Sequence, residues 1–425
     1  MMYAEKTHAY LTGKFIRLYG VSLKLVGPIM FSGSSLVASA IVQKTSSAFD
    51  FGIFAFIQVV LASGMRLLNG FITVPSMNEI ANKSPINEVL QSFVPAGLAF
   101  CLIGSLSIYP VIIWSGGSSF VAILSSLLAF FTWSRYMYRS LALIVSSGRI
   151  AVISDTAYGV INILLLTSML FFHKVDVKAA LLTQIVSSVV SAITLAKATG
   201  FIYRIEKNRI KFFFNSFKVT GISSLIVALS SQISTSAHAY VTTLWLSPAA
   251  FAPIALATLA YRPHGVILTG IMQYESPQVA KAIRSNDKNK AVKVLKDLYF
   301  LVILAWLGNS LVSFFVGYSG NSFLNLKEYS ISDVRLALVF IGVLVLLRAA
   351  TEPQTAFLQI TGQSTKLAKL SILCAIITII MIVISLTVLG KSPVYTLLGP
   401  LFGELVNLLV VSRLSRGSFW NKSEK

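Results

Sequence analysis

Long apolar runs, each broken by a short polar connector, recur along almost the whole chain. Twelve are read near 20–42, 51–74, 92–114, 119–146, 150–172, 178–197, 219–245, 248–271, 298–317, 334–358, 367–389 and 394–412. Each is roughly long enough, at about 1.5 Å of rise per helical residue, to cross ~30 Å of hydrocarbon. A backbone surrounded by lipid must satisfy its own N–H and C=O groups, so each run is expected to be an α-helix. The amino terminus, "MMYAEKTHAYLTGKFIRLYG", is polar and basic and lacks the small-residue cleavage site of a signal peptide. The first run is therefore expected to remain as a span. The predicted fold class is all-α, a polytopic membrane protein of about 12 transmembrane helices.

The two halves resemble each other. Span 1, "FSGSSLVASAIVQ", and span 7, "SSQISTSAHAYVTT", are crowded with small polar residues, and each leads through a short turn into an apolar span at Phe51-Gly52 or Phe251-Ala252. Six helices followed by six in the same orientation imply two six-helix halves related by a pseudo-twofold along the membrane normal, with a cavity between them. The expected organisation is an N-terminal bundle over 1–197, a basic cytoplasmic linker over 198–218 and a C-terminal bundle over 219–425. After span 8, Lys290, Lys293 and Lys296 recur at helical spacing, with Val292, Leu295 and Leu298 on another face. That pattern predicts an amphipathic helix on the inner leaflet. The linker segment "YRIEKNRIKFFFNSFK" is similar. Positive-inside loops that attract anionic lipid are the alternative reading of both.

Composition agrees with the pattern: 55% of residues are apolar and 12% charged, too apolar for a soluble chain of this length. A net charge of +20 would suggest nucleic acid in a soluble protein, but here its distribution decides, and no nucleic-acid partner is expected. With the amino terminus inside, 23 Lys and Arg fall on the cytoplasmic side and five (Lys44, Lys174, Lys178, Lys327 and Lys391) on the other. The positive-inside rule then places both termini in the cytoplasm. Cys101 and Cys374 lie in apolar runs without metal or redox spacing, so no disulfide, metal or other cofactor is expected.

The remaining basic residues include several deep inside spans. A charge at the centre of a lone helix costs about 2.5–3.5 kcal/mol on insertion scales, so charges that persist face a partner or a water-filled cavity. Arg66, Arg262 and Arg348 each fall about 14 residues from the outer end of their span, or roughly 21 Å along it. Arg135 lies slightly deeper, one turn from Arg139 on the same helix face. With Lys24 these residues outnumber the intramembrane acids Asp155, Glu352 and Glu404, so a cavity they faced would be net cationic. Several guanidinium forks suit the oxygens of a phosphate or diphosphate. Pairing with the acids, with helix-end carbonyls or by snorkelling is the structural alternative. Arg348 and Glu352 are expected to form an intrahelical i, i+4 ion pair.

The polar residues Ser32, Ser34, Ser35, Ser39, Ser231, Gln232, Ser234 and Ser236 are candidates either for sugar hydrogen bonds or for close helix packing. Pro28, Pro253, Pro263 and Pro353 interrupt the backbone ladders of their spans and suit a cavity or a hinge. His264 is a candidate proton carrier, with an ordinary core histidine as the alternative.

The chain has no G-x-x-x-x-G-K-[ST] loop and no paired-carboxylate or Ser/His/Asp arrangement near an outer surface, so neither nucleotide hydrolysis nor glycosyl or acyl transfer is indicated.

The outer turn "TSSAFDFGIFAFIQVV", the inner stretch "RSLALIVSSGRIAVISD", the connector "ESPQVAKAIRSNDKNKAVKVLKDL" and the glycine in "FLQITGQSTKLAKLSI" together resemble the polysaccharide-unit (O-antigen) flippases. These belong to the multidrug/oligosaccharidyl-lipid/polysaccharide (MOP) exporter superfamily. The resemblance covers essentially the whole chain with diffuse motifs. It implies a bacterial inner-membrane protein that moves undecaprenyl-diphosphate-linked oligosaccharide units, as in lipopolysaccharide biosynthesis, from the cytoplasmic to the periplasmic leaflet by alternating access through a cationic cavity. The expected partners are the lipid-linked oligosaccharide, the bilayer and other polysaccharide-assembly membrane proteins. Arg66, Arg135, Arg139, Arg262, Arg348 and Lys24 are the candidate cavity residues, and Glu352, Asp155, Glu404 and His264 the candidate ion-pair or coupling residues. Drug exporters of the same superfamily, expected to carry acids where span 1 carries Lys24, and a membrane-embedded polysaccharide polymerase, which would need a substantial periplasmic loop, are the alternatives.

Overall fold

The computed structural model describes residues 26–145, 148–172, 175–199, 207–284, 288–318, 328–360, 363–390 and 392–420. The first half contains α1 (Val26–Thr45), α2 (Ala48–Leu68), α3 (Val74–Ala81), α4 (Ile86–Trp114), α5 (Ser119–Val145), α6 (Arg149–Phe172) and α7 (Val177–Thr199). There follow α8 (Lys207–Ser216), α9 (Ile222–Val241), α10 (Pro248–Arg284), α11 (Lys288–Tyr318), α12 (Ile331–Ile360), α13 (Ser364–Val388) and α14 (Leu398–Trp420). Eleven helical stretches among the described residues are long and apolar enough to cross a membrane, and α10 holds the place of the remaining expected span. Ile103, Leu106, Phe171, Leu311 and Phe315 are exposed on the outside of the bundle, where hydrocarbon rather than water is the matching solvent.

Several helical stretches run longer than the apolar pattern suggests. A π-turn at Asn69–Thr73 carries α2 into α3, and π-turns at Phe217–Gly221 and Thr242–Leu246 join α8, α9 and the turn before α10 into one 39-residue helical rod, Asn208–Leu246. Much of the expected linker is therefore helical and is clamped to the first half. Ser216 Oγ donates to Glu79 Oε1 at 2.6 Å, and Arg209 pairs with Glu88 at 3.1 Å. The Phe213 and Phe217 rings pack on Phe71, with centroids 5.5 and 5.0 Å away. The lysine-bearing stretch after span 8 is likewise not a separate surface helix. It forms the first turns of α11, which runs unbroken from Lys288 to Tyr318, because its apolar residues continue the helical period of span 9 without a breaker.

Within the first half, α5 packs on α4 and α7, and α7 on α6. Within the second, α9 packs on α13, α14 on α12 and α13, and α10 on α11 and α12. The halves meet where α2 packs on α9 and α10. The start of α2 is the tightest point. A Cβ on Gly52 would lie 1.9 Å from the Pro248 carbonyl oxygen at the start of α10, so only glycine lets the two repeat-related helices close there. Phe51 and Phe251 are buried beside this contact. Glu328 accepts from the Ala48 N–H at 2.6 Å and ties the segment before α12 to the first turn of α2. This end carries few Lys and Arg in its connections and is called the sparse end below; the opposite end is the basic end.

Gly52→Ala is expected to destabilise the protein by about 1–3 kcal/mol through overpacking. Gly33→Ala, whose added Cβ meets nothing within 4 Å, serves as the control. Apparent melting temperatures of the purified variants check this, and an unchanged value for Gly52→Ala would remove the close contact as a constraint.

Candidate functional site

A cavity of about 420 Å³ lies between the halves. Its walls come from α1 (Ser39), α2 (Gln58, Arg66), α9 (Thr235, His238), α10 (Thr258, Tyr261, Arg262, His264) and α12 (Ile341, Arg348), and Phe51 and Phe251 close it at the sparse end. Arg66, Thr258 and Gly265 remain exposed along it, so it opens away from the Phe51–Phe251 plug. Among the described residues, three arginines line it and no carboxylate does.

Each arginine is held differently. Arg66 Nη1 donates to Thr235 Oγ1 at 2.7 Å, from the first half to α9 of the second. Arg262 reaches the other way, donating through Nη2 to Ser35 Oγ at 2.9 Å and through Nη1 to Ser39 Oγ at 3.5 Å on α1. Arg348 Nε donates to Glu404 Oε1 on α14 at 3.1 Å. The expected Arg348–Glu352 pair is thus replaced by a bond between helices, and Glu352 is exposed. Arg placed N-terminal to Glu is the less favourable order for an i, i+4 pair, whereas α14 packs on α12 and presents a carboxylate from the side. Asn407 Nδ2 donates to the other oxygen of Glu404 at 3.1 Å.

Arg135 and Arg139 do not join this group. Arg135 lies inside the first half, 2% exposed, and pairs through Nη2 with Asp155 Oδ1. Arg139 Nε meets Asp155 Oδ2 at 2.7 Å. Arg135 Nε also donates to Ser191 Oγ at 2.7 Å, and its guanidinium carbon lies 4.3 and 4.6 Å from the Phe31 and Tyr158 ring centroids. Both oxygens of Asp155 are engaged, so this triad is a paired buried site that binds α5, α6 and α7 together. The shared depth of Arg135 with the other arginines did not carry a shared direction. Lys24 lies outside the described residues.

His264 is 2% exposed and lies in the cavity wall on α10, close to Arg262. Among the polar residues of spans 1 and 7, Ser34 donates to Phe31 O and Gln232 Nε2 to Ser63 Oγ. Tyr240 OH also reaches Ser63, at 2.8 Å. Those groups serve packing, while Ser39 and Ser236 line the cavity. Sequence reasoning singled out neither Thr235 nor His238, Gln58 or Tyr261. Thr235 was accessible from the repeat, since the offset of 200 residues that relates Phe51 to Phe251 also relates Ser35 to Thr235.

No family model matches the chain, and no curated protein matches its sequence. Solved structures do match its fold. An inward-facing multidrug resistance MATE family transporter of the MOP superfamily is 14% identical, with 95% of this chain and 100% of that one covered and a TM-score of 0.64. An outward-facing MATE transporter of the same superfamily is 14% identical over 96% and 97% of the two chains, with a TM-score of 0.58. A MOP superfamily transporter from Pyrococcus furiosus, described as having a binding pocket of reverse polarity, is 15% identical over 93% and 94%, with a TM-score of 0.58. The protein therefore has the two-halved, all-helical fold of MATE transporters of the MOP superfamily.

Asp155→Asn is expected to destabilise the first half by about 3–5 kcal/mol, because it leaves the buried Arg135 guanidinium without its charge partner. A folded yield and melting temperature equal to wild type would show that the triad does not hold these helices.

Proposed function

We propose that this protein is a secondary transporter for an anionic substrate, and that the substrate is an undecaprenyl-diphosphate-linked oligosaccharide unit moved from the cytoplasmic to the periplasmic leaflet. The observation that carries this reading is the cavity wall itself: Arg66, Arg262 and Arg348 from both halves line one space, with no carboxylate lining it among the described residues. Guanidinium groups bind diphosphate oxygens through paired, charge-assisted hydrogen bonds. A cationic drug would meet repulsion in the same space, which disfavours multidrug export despite the fold. The reverse-polarity pocket of the Pyrococcus furiosus neighbour indicates that this fold accommodates cavities of more than one charge type.

With the basic end in the cytoplasm, as the positive-inside rule places it, the cavity faces inward and its mouth lies where a newly assembled lipid-linked unit would be presented. Rocking of the halves about their contact would open the sparse end and close the basic one. Arg66, Arg262 and Arg348 then hold the diphosphate. Glu404 keeps Arg348 in place while the cavity is empty, and His264 stands beside the anion path. Arg135, Arg139 and Asp155 keep the first half rigid as it moves.

Purified protein titrated with geranyl diphosphate by calorimetry tests this directly. Arg66→Ala, Arg262→Ala and Arg348→Ala are each expected to weaken binding about tenfold or more, equivalent to ~1.4 kcal/mol. Arg→Lys variants should recover it only in part, since a point charge cannot make a bidentate contact. Tight binding of a quaternary ammonium cation, with none of the diphosphate, would overturn the reading in favour of a drug exporter.

A further inference from the structure

We propose that Ser35 and Thr235 are place-holders for the substrate anion. Each occupies a cavity arginine of the opposite half while the cavity is empty, and an entering anion, by taking the guanidinium, releases a tie between the halves. This deepens the anion-transport reading and rests on it for the identity of the ligand.

The two contacts are reciprocal. Arg66 of the first half bonds Thr235 of the second at 2.7 Å, and Arg262 of the second bonds Ser35 of the first at 2.9 Å. Ser35 and Thr235 are equivalent in the repeat, separated by the offset that relates Phe51 to Phe251. The arginines are not strictly equivalent: by that offset Arg262 corresponds to Ala62, one helical turn from Arg66. The same cross-half bond has therefore been built twice from slightly different registers. The pairing α2–α9 on one side of the cavity is matched by α1–α10 on the other.

The hydroxyls suit this use. Thr235 Oγ1 spends its own proton on the Ser231 carbonyl at 2.9 Å, so towards Arg66 it offers only a lone pair, as an anion oxygen would. A neutral hydroxyl is the weaker acceptor for a guanidinium, and an ionised phosphate oxygen displaces it. Arg348 differs, because its partner Glu404 belongs to its own half, and exchanging that bond would loosen no contact between halves. Arg66 and Arg262 would thus couple occupancy to movement, while Arg348 contributes affinity alone. A ligand shifts an equilibrium only by its differential affinity for the two states. Here the difference arises because the ligand's gain requires breaking bonds that only the resting arrangement makes.

Coupling of this kind is reciprocal. Removing the hydroxyls should therefore both free the halves and strengthen anion binding. The test uses the full chain in lipid nanodiscs, with Ser35→Ala combined with Thr235→Val. Spin labels are placed at Asn87→Cys and Lys366→Cys, both on exposed positions at the basic ends of opposite halves. In wild type, saturating inorganic diphosphate should shift the inter-label distance distribution. In the double variant the shift should be present without ligand, and the affinity for diphosphate should rise about fivefold or more. Unchanged ligand-free distances overturn the proposal, as does weaker diphosphate binding, which would mean that the hydroxyls bind the anion alongside the arginines. If wild type binds no diphosphate, the anion reading fails separately; a ligand-free shift in the double variant would then still support the ties, and its absence would sink both.

Discussion

A guanidinium in a hydrocarbon slab needs either water or a partner, and the arrangement of this protein follows from how that requirement is met for each intramembrane arginine. Arg135 and Arg139 meet it with the buried Asp155 inside the first half. Arg348 meets it with Glu404 at the edge of the cavity. Among the described residues neither Arg66 nor Arg262 forms an ion pair with an acid; Arg66 is held by Thr235 and Arg262 by Ser35 and Ser39, all hydroxyls of the opposite half. These two arginines line the cavity, and their bonds add to the packing of α2 on α9 and α10 through which the halves meet.

These solutions have different mechanical consequences. The Asp155 triad joins helices that pack against one another in any case, so it stiffens a body. The Arg66 and Arg262 contacts bridge bodies that the MATE-like fold separates into halves, so they join one body to the other. The Gly52–Pro248 contact holds the sparse end closed by close packing of backbone on backbone.

The stretch between the halves fits the same scheme. Glu79, Glu88 and the aromatic group around Phe71 hold α8 against α3 and α4, while its continuation as α9 packs on α13 in the second half. One rod thus carries contacts to both halves, with the π-turn Phe217–Gly221 between them. The described part of the basic stretch 198–218 is thus helical from Lys207 and continuous with α9.

Hydropathy alone determined the number and approximate limits of the spans, since the length of an apolar run and the thickness of hydrocarbon are local matters. The repeat and the deep arginines were also legible, because pattern and position along a helix can be read residue by residue. The direction each arginine faces was not. Arg135 and Arg66 sit at similar depth, yet one points into its own bundle and the other into the cavity, because rotation of a helix about its axis is set by its neighbours. Arg348 illustrates the same point: its sequence-local partner Glu352 lost to Glu404, 56 residues away, which only the packing of α14 on α12 brings within reach. The sequence determined how much charge would lie in the membrane and at what depth. The tertiary structure decided which charges are neutralised, which bridge the halves and which line the cavity, because a charge's partner is chosen by distance in space.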